Sequence, residues 1–142
     1  LWMLAKSERA SPREIAWAVG IGAFAGCTPA VGFHGALAVA LATLFRKNRL
    51  FAFLGSRTSN PLILPFIVMA EVEVAHRLRT GDWMPFDGDH VVENAGPLLL
   101  DWCIGMVPVG GAVALVMALA SWALAERRDR RRARAEASAE AS

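Results

Sequence analysis

Ser11-Pro12-Arg13-Glu14 reads as a helix-opening capping box with Pro at the first helical position. The run that follows, from Ile15 to Phe45, contains no Asp, Glu, Lys or Arg. About 31 residues in one helix would extend roughly 46 Å, well past the roughly 30 Å of bilayer hydrocarbon. Gly26-Cys27-Thr28-Pro29-Ala30-Val31-Gly32 offers a break near the middle. Splitting there leaves pieces of about 12 to 16 residues, short of the roughly 20 that cross a bilayer. A re-entrant hairpin accounts for such halves, and two tilted, closely packed short spans are the alternative.

A basic turn, Arg46-Lys47-Asn48-Arg49, separates this run from a second apolar stretch that Arg57 and Ser59-Asn60-Pro61 interrupt. Gly81, Pro85 and Gly88 mark loop, with Trp83 and Phe86 placed for a membrane surface. The last apolar segment is uncharged for about 24 residues from Trp102 and is long enough to span. Pro108, with Gly105, Gly110 and Gly111 around it, should kink this helix or let it pack closely. The pattern predicts an all-α, small polytopic membrane protein with two broken or re-entrant hydrophobic segments and one full C-terminal transmembrane helix. The membrane domain covers 1–125, with hydrophobic segments at about 15–45, 50–75 and 97–125 and an external acidic loop at about 76–96. A basic tail, 126–142, is expected to lose order beyond about Ala133.

Composition agrees: the 142 residues are 55% hydrophobic with a mean hydropathy of +0.38, which favours an integral membrane domain over a soluble core. Having only Cys27 and Cys103 excludes a disulfide scaffold, and both are expected to act as small hydrophobes. The net charge of +2 hides an asymmetry: six arginines lie between Arg127 and Arg134, while Glu71 to Asp101 holds seven acids against Arg77 and Arg79. Basic segments at Lys6 to Arg13, Arg46 to Arg49 and Arg127 to Arg134 are therefore expected on the cytoplasmic side of a bacterial inner membrane, C-terminus included. A signal peptide is not expected, because Leu1 to Leu4 is too short an apolar core.

Thr28-Pro29 and Asn60-Pro61 both look like helix starts, since Thr and Asn are good N-caps and Pro suits the first helical position. A half-helix starting at membrane depth aims unpaired N–H groups and the positive end of its dipole at one point, a device suited to anions. Paired starts of this kind make Thr28, His34, Arg57 and Asn60 the candidate ligand-binding residues. Each has a structural alternative: Asn60 caps the broken backbone, His34 is a hydrogen-bonded structural histidine, and Arg57 snorkels to headgroups. Asn48 is read as a helix cap at the basic turn. Ala18, Gly22 and Gly26 recur at four-residue spacing, a face suited to close helix contact within the fold or across a dimer seam. The tail arginines suit a topology anchor or anionic lipid, and nucleic acid is not expected to be a partner. No metal, phosphate-loop or nucleophile-elbow signature is present, so no enzyme activity, cofactor or metal is expected.

In order, Ser11-Pro12-x-x-Ile15-Ala16, Gly20-x-Gly22-x-Phe24-x-Gly26-x-Thr28-Pro29-x-x-Gly32-x-His34, Arg46-x-Asn48 and Leu54-Gly55-x-x-x-Ser59-Asn60-Pro61 resemble a bacterial membrane domain family catalogued as domain of unknown function 2062. The resemblance carries the family motif onto Thr28, Pro29, Gly32, His34, Asn48, Gly55, Asn60 and Pro61, and leaves Arg57 between motif positions. Some relatives look like fusions to glycosyltransferase domains, which implies cell-envelope or lipid-linked sugar metabolism. The resulting expectation is a protein that binds or translocates an anionic lipid headgroup or small solute, with membrane lipids as partners and a homo-oligomer enclosing any path. The alternative is a non-transporting scaffold for an envelope enzyme such as a glycosyltransferase.

Overall fold

Both halves of the capping box form: the Ser11 hydroxyl accepts from the Glu14 amide at 3.3 Å, and the Glu14 carboxylate accepts from the Ser11 amide at 2.9 Å. From this start the computed structural model, which describes residues 10–84 and 95–140, is helical throughout. Helix α1 spans Pro12–Gly26, and α2, His34–Leu44, follows a turn over 27–33. Helix α3, Arg49–Gly55, begins at Asn48, whose Oδ1 accepts from the Leu50 and Phe51 amides at 3.0 and 3.3 Å. A 3-10 turn, Ser56–Thr58, leads to the second interruption, and α4 runs Leu64–Thr80. Helix α5, Ala95–Gly105, a π turn, Met106–Gly110, and α6, Gly111–Glu140, join end to end. This rod contains the one helix among the described residues that is long and apolar enough to cross a membrane, Gly96–Ala139. The π turn surrounds Pro108, which has no N–H for the i−4 carbonyl, so the helix widens there instead of stopping.

Helix α1 lies at the centre, packed along α6 on one side and against α3 and α2 on the other, while α4 packs on α5. Glycines set the closest crossings. A Cβ at Gly22 would collide with the Ala52 carbonyl, one at Gly55 with the Val19 carbonyl, and one at Gly105 with the Glu71 carbonyl. The small-residue face of α1 is thus spent inside the fold.

Side-chain size is sorted opposite to the soluble pattern. The buried apolar positions are mostly alanine: Ala18, Ala23, Ala25, Ala38, Ala42, Ala52 and Ala75. Large apolar side chains such as Phe33, Leu44, Leu62, Phe66 and Leu119 face outward, more than half exposed. Water penalises such a surface at roughly 25 cal/mol per Å² of apolar area. Hydrocarbon does not, and small residues inside let helices approach closely there.

Two boundaries differ from the sequence expectation. The acidic connection is shorter than 76–96, because α4 continues to Thr80, with Arg77 and Arg79 near the negative end of its dipole and Gly81 closing it at φ +83°. Pro85, Phe86 and Gly88 lie outside the described residues. The tail, expected to lose order beyond Ala133, is helical to Glu140. Ala, Arg and Glu are strong helix formers, and Glu126 pairs with Arg130 one turn on.

Candidate functional site

The first interruption is held by its own side chains. Thr28, 8% exposed, donates its hydroxyl to the Ala25 carbonyl at 2.7 Å, an acceptor at the end of α1 that the Thr28 amide also reaches at 3.3 Å. His34 Nε2 donates to the Thr28 carbonyl at 2.9 Å and ties the start of α2 to the end of α1. Between them Gly32 takes φ +86°, a left-handed conformation that suits glycine. This corrects the sequence expectation of a helix start at Thr28-Pro29. The helix begins at His34 after an uncapped Phe33, and Thr28 serves a helix end. His34 makes the hydrogen bond that its structural reading calls for.

At the second interruption a side chain caps the turn over 61–63 that leads into α4, which itself begins after an uncapped Ile63. Asn60 Oδ1 accepts from the Leu62 and Ile63 amides at 2.9 and 3.1 Å, and its carbonyl accepts from Leu64 at 2.8 Å. Asn60 and Pro61 are exposed. Arg57 is exposed too, its guanidinium 4.7 Å from the centre of the Phe53 ring. The four candidate ligand residues therefore do not converge: Thr28 and His34 close one turn, Asn60 caps another, and Arg57 lies on the surface.

What does converge is a different set. A Cβ on Gly26 would stand 2.9 Å from Ser59 Oγ and 3.0 Å from the Ser56 carbonyl, so the two interruptions touch, separated only by the missing side chain. Beside this junction the Cys27 thiol is fully buried, near the Ser59 hydroxyl and the Glu71 carboxyl. Glu71, on α4, is 0% exposed. Trp102 of α5 faces it, yet neither carboxyl oxygen nor the buried indole nitrogen completes a hydrogen bond, and Ser59 Oγ is likewise unsatisfied. Gly110 of the π turn closes the far side: a Cβ there would meet Cys27 Cβ at 3.0 Å and Glu71 Oε1 at 3.5 Å. Buried polar atoms are nearly always paired, so a cluster of unpaired ones calls for an explanation.

Two turns along α4 a separate pair bridges to α5. Asp101, 2% exposed, holds Arg79 Nε at 2.9 Å and stands 3.7 Å from His76 Nδ1. In the charge count Glu71 is one of the seven acids between it and Asp101, with no role of its own. The signal was present: Ile67, Glu71, Val72 and Ala75 fall on one helical face, and that face is the buried one. Gly22, Gly26 and Gly55 hold close contacts, Gly32 a left-handed turn and Asn48 a cap, so most motif positions are accounted for by the backbone they shape.

A bacterial family described as uncharacterized protein conserved in bacteria, domain of unknown function 2062, matches residues 4–134. No curated protein and no solved structure matches the chain.

Proposed function

The chain belongs to this bacterial family, and on that premise we propose that it is a polytopic inner-membrane protein that binds, and moves across the bilayer, a small solute at the junction of its two interrupted segments. The observation that carries this reading is the contact of Gly26 with Ser56 and Ser59, next to a cluster of buried, unpaired polar atoms. Backbone interrupted at membrane depth survives where protein surrounds it, and such places mark binding sites in transporters. The outward-facing large apolar side chains support a lipid setting for the short helices as well as the long one. The first segment then dips in and returns, and the arginine-rich end of α6 lies in the cytoplasm. The anionic ligand that paired helix starts would favour has lost its support, because neither α2 nor α4 opens on a side-chain cap and the Asn60 turn that leads into α4 lies on the surface.

Mass spectrometry of protein extracted gently from its own membrane tests this. Wild type should retain a recurrent small solute or lipid, and Gly26→Val, which drives a side chain into Ser59, should lose it while still inserting. Recovery of an envelope enzyme such as a glycosyltransferase from both proteins, with no bound small molecule, would instead identify a scaffold.

A further inference from the structure

We propose that Glu71 is the cation-binding group of the junction and that the cation it takes up and releases is the proton; this rests on the membrane setting proposed above and names the ligand class of the same site. Glu71 is fully buried, with two carboxyl oxygens that accept no hydrogen bond. A carboxylate so placed needs a countercharge. His76, Arg77 and Arg79 are the basic groups further along its own helix; Asp101 engages His76 and Arg79, and Arg77 lies over the Trp83 ring at 4.3 Å. Glu73 is occupied by the Met84 amide through Oε1. Of the elements packed on Glu71, the end of α1 offers the Cys27 thiol, α5 the Trp102 indole and the π turn the Gly110 backbone. Cys27 is the titratable group among these, and it is no source of positive charge.

Packing selects among cations. Gly105 brings α5 onto the Glu71 backbone, and a Cβ at Gly110 of the π turn would already be in ordinary contact with Oε1. A metal ion needs several ligands around it, and the described residues provide no group of three His, Cys, Asp or Glu side chains. A proton needs one oxygen and no added volume. On uptake a hydronium ion from an adjoining aqueous phase gives its proton to one Glu71 oxygen and leaves water, and release is the reverse, with no change of oxidation state. The unpaired Trp102 N–H facing the carboxyl is a donor available to the ionised form, and the π turn is a helix irregularity of a type found at working sites.

Infrared difference spectroscopy of the full chain in phosphatidylcholine vesicles, with the bath pH stepped, reads the carboxyl directly. Wild type should show a carboxylic-acid C=O band that comes and goes with pH. Glu71→Gln should lose that band completely, and Glu71→Asp should keep it at a shifted frequency. An unchanged difference spectrum in Glu71→Gln, or no pH-dependent acid band in wild type, overturns the proposal. If Glu71→Gln does not insert, wild type and Trp102→Phe labelled with ¹³C-glutamate decide: a glutamate acid band displaced by Trp102→Phe supports it, and an undisplaced one overturns it. Loss of the band on adding sodium or potassium at constant pH also overturns it, in favour of a metal cation. The solute reading stands or falls on Gly26→Val and the proton reading on the Glu71 band, so either can fail alone.

Discussion

The two interruptions share an x-Pro signature and perform opposite tasks. At 27–33 the polar side chain is a donor turned back on a helix end: Thr28 to the Ala25 carbonyl. At 59–63 it is an acceptor turned forward on a helix start: Asn60 to the Leu62 and Ile63 amides. Proline marks where a helix is interrupted, because it lacks the N–H, but not which helix the neighbouring residue serves. That depends on whether the unpaired groups are carbonyls or amides, and an oxygen of an amide side chain can only satisfy amides. The polar residues also differ in exposure: Thr28 is buried, with Cys27 beside it against the π turn, whereas Asn60 faces outward.

The strongest way to break the comparison is to push the two interruptions apart. Gly22 sits one turn before Gly26 on the face that meets α3, and Gly22→Val would set a branched side chain against the Ala52 carbonyl and Ser56 amide. Overpacking costs about 1–3 kcal/mol, and backbone obstructing backbone places this substitution near about 3 kcal/mol. Thermal unfolding in detergent should show it as the most destabilised variant. A stability equal to wild type would mean that α1 and α3 are not in contact.

The next effect sharpens the comparison. Asn60→Ala should cost about 1 kcal/mol through loss of its cap, and Thr28→Val about the same through loss of one hydrogen bond. Their local signatures differ. Asn60→Ala should speed amide exchange at Leu62 and Ile63, the two protons its side chain holds. Thr28→Val should leave the amides of 30–33 unchanged, because the hydroxyl it removes bonds a carbonyl. Faster exchange across 30–33 in Thr28→Val would show that Thr28 caps a helix start after all.

How far the sequence was legible follows from the range of the interactions. The Ser11 capping box, the Asn48 cap and the Asn60 cap each close within three residues, and each was readable as it stands. The positions of both interruptions were readable from run length against bilayer thickness together with proline. The direction of the first was not, because it rests on Gly32 adopting a left-handed turn and on His34 reaching back six residues. Glu71 is grouped with the acids that run to Asp101, since charge counting ignores the face on which a residue lies. Its partners come from three other stretches of chain, Cys27, Trp102 and Gly110, which no local pattern joins. Cys27 and Cys103 looked alike in sequence, yet one is buried at the junction and the other is exposed.

The smallest expected effect concerns Arg57, the one charge within the second apolar stretch before Glu71. Its guanidinium stacks on Phe53 at 4.7 Å and is exposed, a contact worth about 0.5–1 kcal/mol at such a site. Arg57→Ala should lower stability by no more than about that amount, and should leave unchanged the retention of any solute that Gly26→Val abolishes. Arg57→Lys separates the remaining contributions, because it keeps the charge available to headgroups while losing the flat face that stacks. A strong loss of solute in Arg57→Ala with stability intact would move the binding surface outward, from the buried turn beside Glu71 to the exposed one beside Asn60. The two interruptions would then exchange roles: the capped start would bind, and the closed end would only shape the fold.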